Sequence, residues 1–193
     1  MRVVGIGGTS RENSSTEWAL RVCLTNIEKL GAETVVFGAA ELDLPMFAPE
    51  EPQVTERARK LIEAVREADG IVIASPGYHG AMSGLVKNAL DYLELLRDDP
   101  RPYLEGRAVG CIVCAYGWQA TVTTLVSLRS IVHALRGWPT PLGIALNTAE
   151  PVWSEDGLVV EEPVGSQMRI LASQVVTFAE MSRAFADASS QSG

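Results

Sequence analysis

The sequence predicts an α/β fold: a doubly wound, five-stranded parallel sheet with helices on both faces. Two observations carry this prediction. Strand-like and helix-like segments alternate along the chain, which is the pattern of βαβ units with right-handed crossovers. With 193 residues, 47% of them hydrophobic, the chain has the size of one large domain and can cover both faces of a sheet.

Short apolar runs mark the strands. Val3, Val4 and Ile6 form the first run. The third run, at residues 70–75, is continuously apolar, as expected of a central parallel strand that is buried on both faces. In chain order, the predicted strands span residues 2–7, 33–38, 70–75, 108–115 and 138–146.

Apolar residues at helical spacing mark the segments between the strands as helices. The first helix carries Ala19, Cys23 and Ile27 on one face, and Gly31 follows its end, as is common at helix C-termini. In chain order, the predicted helices span residues 15–30, 53–68, 83–97, 121–136 and about 165–185.

We expect residues 1–187 to form a single domain. Residues 188–193 are small and mostly polar, and we expect this tail to be disordered. Two connections are longer than ordinary turns, at residues 41–52 and 147–163. Each is either a binding or dimer loop or simply packed coil.

The charge balance excludes some classes of partner. The net charge is −8, which argues against a general nucleic-acid surface, because such surfaces need basic patches. No apolar run reaches the roughly 18 residues of a membrane span. The chain opens directly on a strand pattern, so we expect no signal peptide and a cytoplasmic protein.

The three cysteines suggest packing rather than redox chemistry. Cys111 and Cys114 have the spacing of a redox pair, but they fall in a predicted strand, where side chains three positions apart point to opposite faces. We therefore interpret Cys23, Cys111 and Cys114 as buried apolar residues. No Cys/His cluster has the spacing of a zinc site.

The loop after the first strand has the composition of a phosphate site. Gly7 and Gly8 allow a close turn, and the loop leads into a helix, whose first N–H groups lie at the positive end of the helix dipole. The candidate phosphate-binding residues are Thr9, Ser10, Arg11, Ser14, Ser15 and Thr16. Ser14 and Glu17 also match a capping box, so an ordinary helix cap with a surface arginine is the alternative.

Two other phosphate motifs fit this loop less well. The dinucleotide fingerprint requires a third glycine where Ser10 stands, and an acidic residue at the end of the second strand, where residues 37–40 have none. A Walker loop requires a lysine, which residues 7–16 lack. The loop therefore favours a mononucleotide phosphate over a pyrophosphate.

Two further loops follow the third and fourth strands. With strand order 2-1-3-4-5, the loops after strands one, three and four border one crevice at the carboxyl edge of the sheet. Their glycines let backbone amides approach a planar ring, and Tyr78 or Trp118 can pack against it. Trp118 can equally serve dimer or loop packing, and His79 can be a plain loop residue. The candidate ring-binding residues are Pro76, Gly77, Tyr78, His79, Gly80, Gly117 and Trp118. Together the loops predict a mononucleotide site, most simply for a flavin.

These motifs resemble the NADPH-dependent FMN reductases of the flavodoxin-like superfamily, most closely the alkanesulfonate-type flavin reductases. Residues 8–16 are similar to the family's first signature, residues 75–91 to its second, and residues 41–45 to the segment after its second strand. The likeness covers about residues 1–180. This chain departs from the family pattern at Thr9, Thr16, Gly77 and His79, and these changes bear on flavin affinity and on the choice of acceptor.

The resemblance implies an NAD(P)H:FMN oxidoreductase in which hydride passes from C4 of the nicotinamide to N5 of the flavin. The reduced FMN is then released, for instance to a flavin-dependent monooxygenase, or it reduces a small quinone- or azo-type acceptor. The cofactor carries the chemistry, and no catalytic acid or base is named. A homodimer or homotetramer is implied, with the third and fourth helices as the interface.

The residues leave several alternatives open. FMN is either a tight cofactor or a released substrate, and the nucleotide is either NADPH or NADH. A flavodoxin-type electron carrier is a second possibility, although the loop lacks the Thr/Ser-x-Thr-Gly-x-Thr pattern of flavodoxins. A third is an interaction or regulatory module, with or without flavin, that does not turn over.

Overall fold

A computed structural model of the chain describes residues 1–9, 11 and 13–190. Its sheet contains the strands β1 (Arg2–Gly7), β2 (Glu33–Phe37), β3 (Gly70–Tyr78), β4 (Ala81–Met82), β5 (Ala108–Ala115), β6 (Trp138–Pro139) and β7 (Ile144–Asn147). The backbone of the sheet has the order β2-β1-β3-β5-β6, and each of these neighbouring pairs is parallel. β7 also pairs with β5 in parallel. The predicted doubly wound parallel sheet is therefore confirmed.

The described residues form five α-helices, of which the first four connect strands and the fifth follows the last strand: α1 (Ser15–Lys29), α2 (Glu56–Glu67), α3 (Gly84–Asp91), α4 (Trp118–Ala134) and α5 (Glu162–Ser190). A 3₁₀ segment, Tyr92–Leu96, continues α3. Serine or threonine side chains cap the first three helices: Ser14, Thr55 and Ser83 each accept an N–H bond from the first turn. None of the helices described is both long and apolar enough to cross a membrane.

The core has two parts, one on each face of the sheet. α1 and α5 pack on one face, and α2, α3 and α4 pack on the other. Cys111 belongs to the second part and Cys114 to the first, so the two thiols point to opposite faces as predicted. All three cysteines are free and buried.

The predicted fifth strand, residues 138–146, is interrupted. β6 pairs with the start of β5 and β7 with its end, so the two short strands occupy the position of one strand. Pro139 and Pro141 explain the gap between them, because proline has no N–H to donate to a sheet.

The remaining differences lie at the ends of elements. β3 continues past residue 75 to Tyr78 and turns back into β4, a hairpin that the sequence analysis did not predict. α5 extends to Ser190, so residues 188–190 of the expected disordered tail are helical. Residues 191–193 of that tail lie outside the described residues.

Candidate functional site

A cavity of about 270 Å³ lies at the carboxyl edge of the sheet, where α1 begins. We call it the phosphate-side cavity. It brings together residues from four segments that are far apart in sequence. Its lining is Thr9, Arg11, Ser14, Ser15, Thr16, Pro76, Gly77, Tyr78, Cys114, Ala115, Tyr116 and Thr148. Of the predicted phosphate residues, Ser10 lies outside the described residues.

The start of α1 is fixed by its cap. The Ser14 hydroxyl accepts the N–H of Glu17 at 3.2 Å, which is the first half of the predicted capping box. The Glu17 carboxylate accepts the N–H of Asn13 at 3.0 Å and pairs with Arg21 at 2.7 Å. The N–H groups of Ser15 and Thr16 have no acceptor within a helix that starts at Ser15, so they are the donors that a helix N-terminus offers to an anion.

Thr9 shapes the loop before this helix. Its hydroxyl accepts the N–H of Arg11 at 3.1 Å and donates to the Arg11 carbonyl at 3.0 Å. This bonding closes a local turn of the kind that hydroxyl side chains form in loops. It leaves the exposed Arg11 side chain at the rim of the phosphate-side cavity.

A second cavity of about 670 Å³ adjoins the first, and we call it the ring-side cavity. Its lining is His79, Gly80, Tyr116, Gly117, Trp118, Gln119, Ala120 and Thr123. Tyr116 lines both cavities, so the two are neighbours along one edge of the sheet. Between them, the cavities contain all the predicted site residues that the structure describes.

His79 and Gly80 form the two-residue turn of the β3–β4 hairpin. Their φ angles are 53° and 85°, and Tyr78 pairs with Ala81 across the turn. Positive φ at both central residues is the hallmark of a type I′ turn, and histidine is one of the residue types that tolerate this region. The Ser75 hydroxyl accepts the N–H of Ser83 at 3.0 Å and so ties the hairpin to the start of α3.

The structure gives Gly77 a packing role. A Cβ on Gly77 would lie 2.9 Å from the Ala115 Cβ, 3.0 Å from Thr124 Oγ1 and 3.3 Å from the Ala120 carbonyl oxygen. The missing side chain therefore lets the end of β3 approach α4. In this chain, any side chain at position 77 would therefore meet the end of β5 and α4 at close range.

The Gly117 amide has a partner within the chain. Its N–H donates to Asn147 Oδ1 at 2.7 Å, so it is not free to bond a ring edge. Gly117 itself has a φ of 107°, which favours glycine.

Sequence reasoning missed several residues at this site. Tyr116 and Thr148 are not among the residues predicted from sequence, although both line the phosphate-side cavity. Asn147, which ends β7, and Glu150 also escaped notice. Thr148, Asn147 and Glu150 all lie in the long connection at 147–163. This connection starts at the carboxyl end of a strand, where ligand sites form, and that position is the feature that could have indicated them. Lys87 and Asp91, one turn apart on α3, form an i,i+4 ion pair at 2.5 Å.

Comparison with known proteins decides the family. The family model for NADPH-dependent FMN reductases matches residues 1–150. The chain belongs to this family. It is an NAD(P)H-dependent FMN reductase, an oxidoreductase that uses FMN and NADPH.

Individual proteins resemble the chain in sequence or in fold. The chain is 29% identical over 185 residues to an FMN-dependent NADPH-azoreductase of Staphylococcus aureus, covering 92% of this chain and 95% of that protein. A flavoenzyme NAD(P)H:(acceptor) oxidoreductase from Paracoccus denitrificans has a similar fold, with a TM-score of 0.73 at 16% identity over 93% of this chain and 97% of that one. An NADH:FMN oxidoreductase has a TM-score of 0.70 at 20% identity, over 93% and 89% of the two chains.

The donor set of the phosphate-side cavity fits FMN. A helix N-terminus, several hydroxyls and one guanidinium suit a phosphate with about two negative charges. The larger ring-side cavity, with Tyr116 and Trp118 on its walls, has the size and the aromatic surface that a flat ring system requires.

Proposed function

We propose that the two adjoining cavities form the FMN site of this reductase, within a single flavin-binding domain at residues 1–187. The phosphate lies in the phosphate-side cavity and the isoalloxazine ring in the ring-side cavity. The observation that carries the proposal is their contiguity at Tyr116, which links anion donors to an aromatic wall.

The phosphate is held by donors that the fold aims at one point. The N–H groups of Ser15 and Thr16 and the Ser15 hydroxyl offer donors at the start of α1, and Arg11 adds a charge-assisted bond from the rim. Thr148 contributes a hydroxyl from the opposite wall. Thr9 acts indirectly, by closing the turn that places Arg11.

The ring is oriented by the β3–β4 hairpin and by residues 116–118. FMN held there would supply the hydride chemistry between NADPH and the acceptor, and these residues would supply position and shielding from water rather than an acid or base. Pro76, Gly77 and Tyr78 line the phosphate-side cavity, so they would lie at the end of the ring nearest the phosphate. His79, Gly80, Gly117 and Trp118 line the ring-side cavity itself.

The electron acceptor is a small planar compound, of quinone or azo type. The similarity to the Staphylococcus aureus azoreductase supports this choice. So do the exposed aromatic rings at the mouth of the site: Tyr78 and Trp118 are each 54% exposed and Tyr116 is 83% exposed. Transfer of released FMN to a monooxygenase partner is the alternative route for the electrons.

We further propose a homodimer, with α4 at the interface. Val122 and Val126 are exposed, and their spacing of four residues puts them on one stripe of α4. The apolar side chains of α3 lie in or against the core, so α4 alone offers such a stripe of the two helices named from sequence. We place the enzyme in the cytoplasm, and the three free thiols are consistent with a reducing compartment.

The phosphate assignment is tested by Ser15→Asp. An acidic residue at the first position of a helix interacts favourably with the positive end of the helix dipole, so the variant should fold. Its carboxylate, however, repels a phosphate. We expect FMN affinity to fall by at least about tenfold while riboflavin, which lacks the phosphate, binds as in the wild type. Ser15→Asn is the uncharged control. Equal losses for FMN and riboflavin would contradict the assignment.

A further inference from the structure

Trp118 stands between two cavities. It lines the ring-side cavity and also a third cavity of about 370 Å³, which lies against β7 and the start of α5. Its half-exposed indole is not confined by packing, so other rotamers are open to it. The indole N–H donates to Glu150 Oε1 at 3.1 Å. The orientation of the ring therefore depends on where Glu150 is held.

Asn147 holds Glu150. Its Nδ2 donates to the same Oε1 atom at 2.9 Å. Asn147 ends β7 and is only 7% exposed. Its Oδ1 accepts two backbone N–H groups, from Gly117 at 2.7 Å and from Ala149 at 3.1 Å. This pattern fixes the amide, because a flipped amide would aim its NH₂ group at two other donors.

The side-chain amide of Asn147 therefore helps to position Trp118 through two separate contacts. Through Gly117 it fixes the backbone immediately before the tryptophan, and through Glu150 it fixes the indole. The turn that carries both residues also places Thr148 in the phosphate-side cavity, and the Thr148 N–H bonds the Ala115 carbonyl at 2.9 Å. The turn at 147–150 therefore supports residues of both the phosphate-side and the ring-side cavity.

We propose that Asn147 and Glu150 are positioning residues that hold Trp118 as a fixed wall of the ring-side cavity. This wall sets the affinity for the planar acceptor that packs beside the flavin. The inference rests on the proposed function of that cavity. Neither residue is required to touch the flavin, and no proton or electron passes through them.

The test uses Glu150→Ala, Glu150→Gln and the control Glu155→Ala, which removes an exposed carboxylate from the same connection. The first readout is independent of activity. The chain has four tryptophans, so protein labelled with 5-fluorotryptophan should give four ¹⁹F resonances, and Trp118→Phe identifies that of Trp118. We expect Glu150→Ala to shift and broaden this resonance, with Glu155→Ala unchanged. Glu150→Gln keeps an oxygen acceptor and should largely restore it. Asn147→Ala should move the same resonance, provided that it folds.

The second readout is steady-state kinetics with a quinone. We expect Glu150→Ala to raise KM for the quinone about three- to tenfold, the cost of one lost hydrogen bond, with kcat within about twofold. In a Trp118→Phe background the same substitution should have no further effect on KM.

Three results would overturn the proposal. One is a Trp118 resonance in Glu150→Ala identical to that of the wild type. Another is a shifted resonance with an unchanged KM, which would remove the role in acceptor binding. The third is a change in all four resonances with a matching loss of FMN affinity, which would show a general structural role. A wild-type protein that fails to oxidise NADPH would instead refute the proposed function, while the ¹⁹F result would still decide whether Glu150 holds Trp118.

Discussion

Gly77→Ala probes the close contact between β3 and α4, on which the shape of the site depends. The new Cβ would lie 2.9 Å from the Ala115 Cβ and 3.0 Å from Thr124 Oγ1, closer than side chains normally pack. Overpacking of this kind costs about 1–3 kcal/mol, and replacing glycine within a strand recovers about 0.5–1 kcal/mol. We expect a net loss of about 1–2 kcal/mol in the free energy of unfolding, which lowers Tm by about 3–6 °C in a chain of this size.

The same substitution should weaken flavin binding, because Gly77 lines the phosphate-side cavity and Ala120 lines the ring-side cavity. Urea unfolding and FMN fluorescence titration measure the two effects. Gly84→Ala is the matched control: apart from the adjoining backbone of its own helix, no atom of the described residues lies within 4 Å of the added Cβ, so it should be neutral or slightly stabilising. If Gly77→Ala proves as stable as Gly84→Ala and binds FMN like the wild type, the reasoning is refuted.

Three further predictions concern stability. His79→Asn should raise the free energy of unfolding by about 0.5 kcal/mol, because asparagine is favoured at this position of a type I′ turn; a lower urea midpoint would count against it. Thr124 is fully buried, and its Oγ1 has no hydrogen-bond partner among the described residues. Thr124→Val removes this unpaired hydroxyl and should stabilise the protein by about 1 kcal/mol. Thermal unfolding measures the change, and a loss of stability would contradict the prediction. Burial raises the pKa of Cys23, Cys111 and Cys114 to about 12, from an ordinary value of 9.0. Below pH 9 the thiols are protonated in both the folded and the unfolded protein. Between pH 9 and 12 they lose their protons only in the unfolded chain. Stability should therefore fall as pH rises from 9 to 12, by about 1.4 kcal/mol per pH unit for each thiol. Cys23→Ala should remove one thiol's share of that slope in urea titrations, and an unchanged slope would disprove the assignment.

The sheet could be predicted because its signals are local. Continuous apolar runs at β1 and β3 identify central strands, and the strand–helix alternation leaves few other topologies. Pro139 and Pro141 are a local signal for the interruption between β6 and β7, because proline cannot donate an N–H to a sheet. The apolar residues around them nevertheless favour one continuous strand in the sequence-based prediction.

The site could be predicted only in part, because its remaining contacts are long-range. The start of α1 and the loop after β3 carry recognisable composition. By contrast, the hydrogen bond from the Gly117 N–H to Asn147 Oδ1 joins residues that are 30 positions apart, and the sequence around Gly117 does not indicate it. The reason for glycine at position 77 is likewise the approach of α4, which a sequence pattern does not contain.

NADPH oxidation followed at 340 nm, with and without added FMN, tests the central claim most directly. The account predicts turnover that depends on FMN: in flavin-free protein it appears only when FMN is added, and in protein that retains FMN it rises with a quinone or azo dye. The Ser15→Asp variant should require at least about ten times more FMN for half-maximal rate. Absence of oxidation of both NADPH and NADH, with FMN present, would contradict the account.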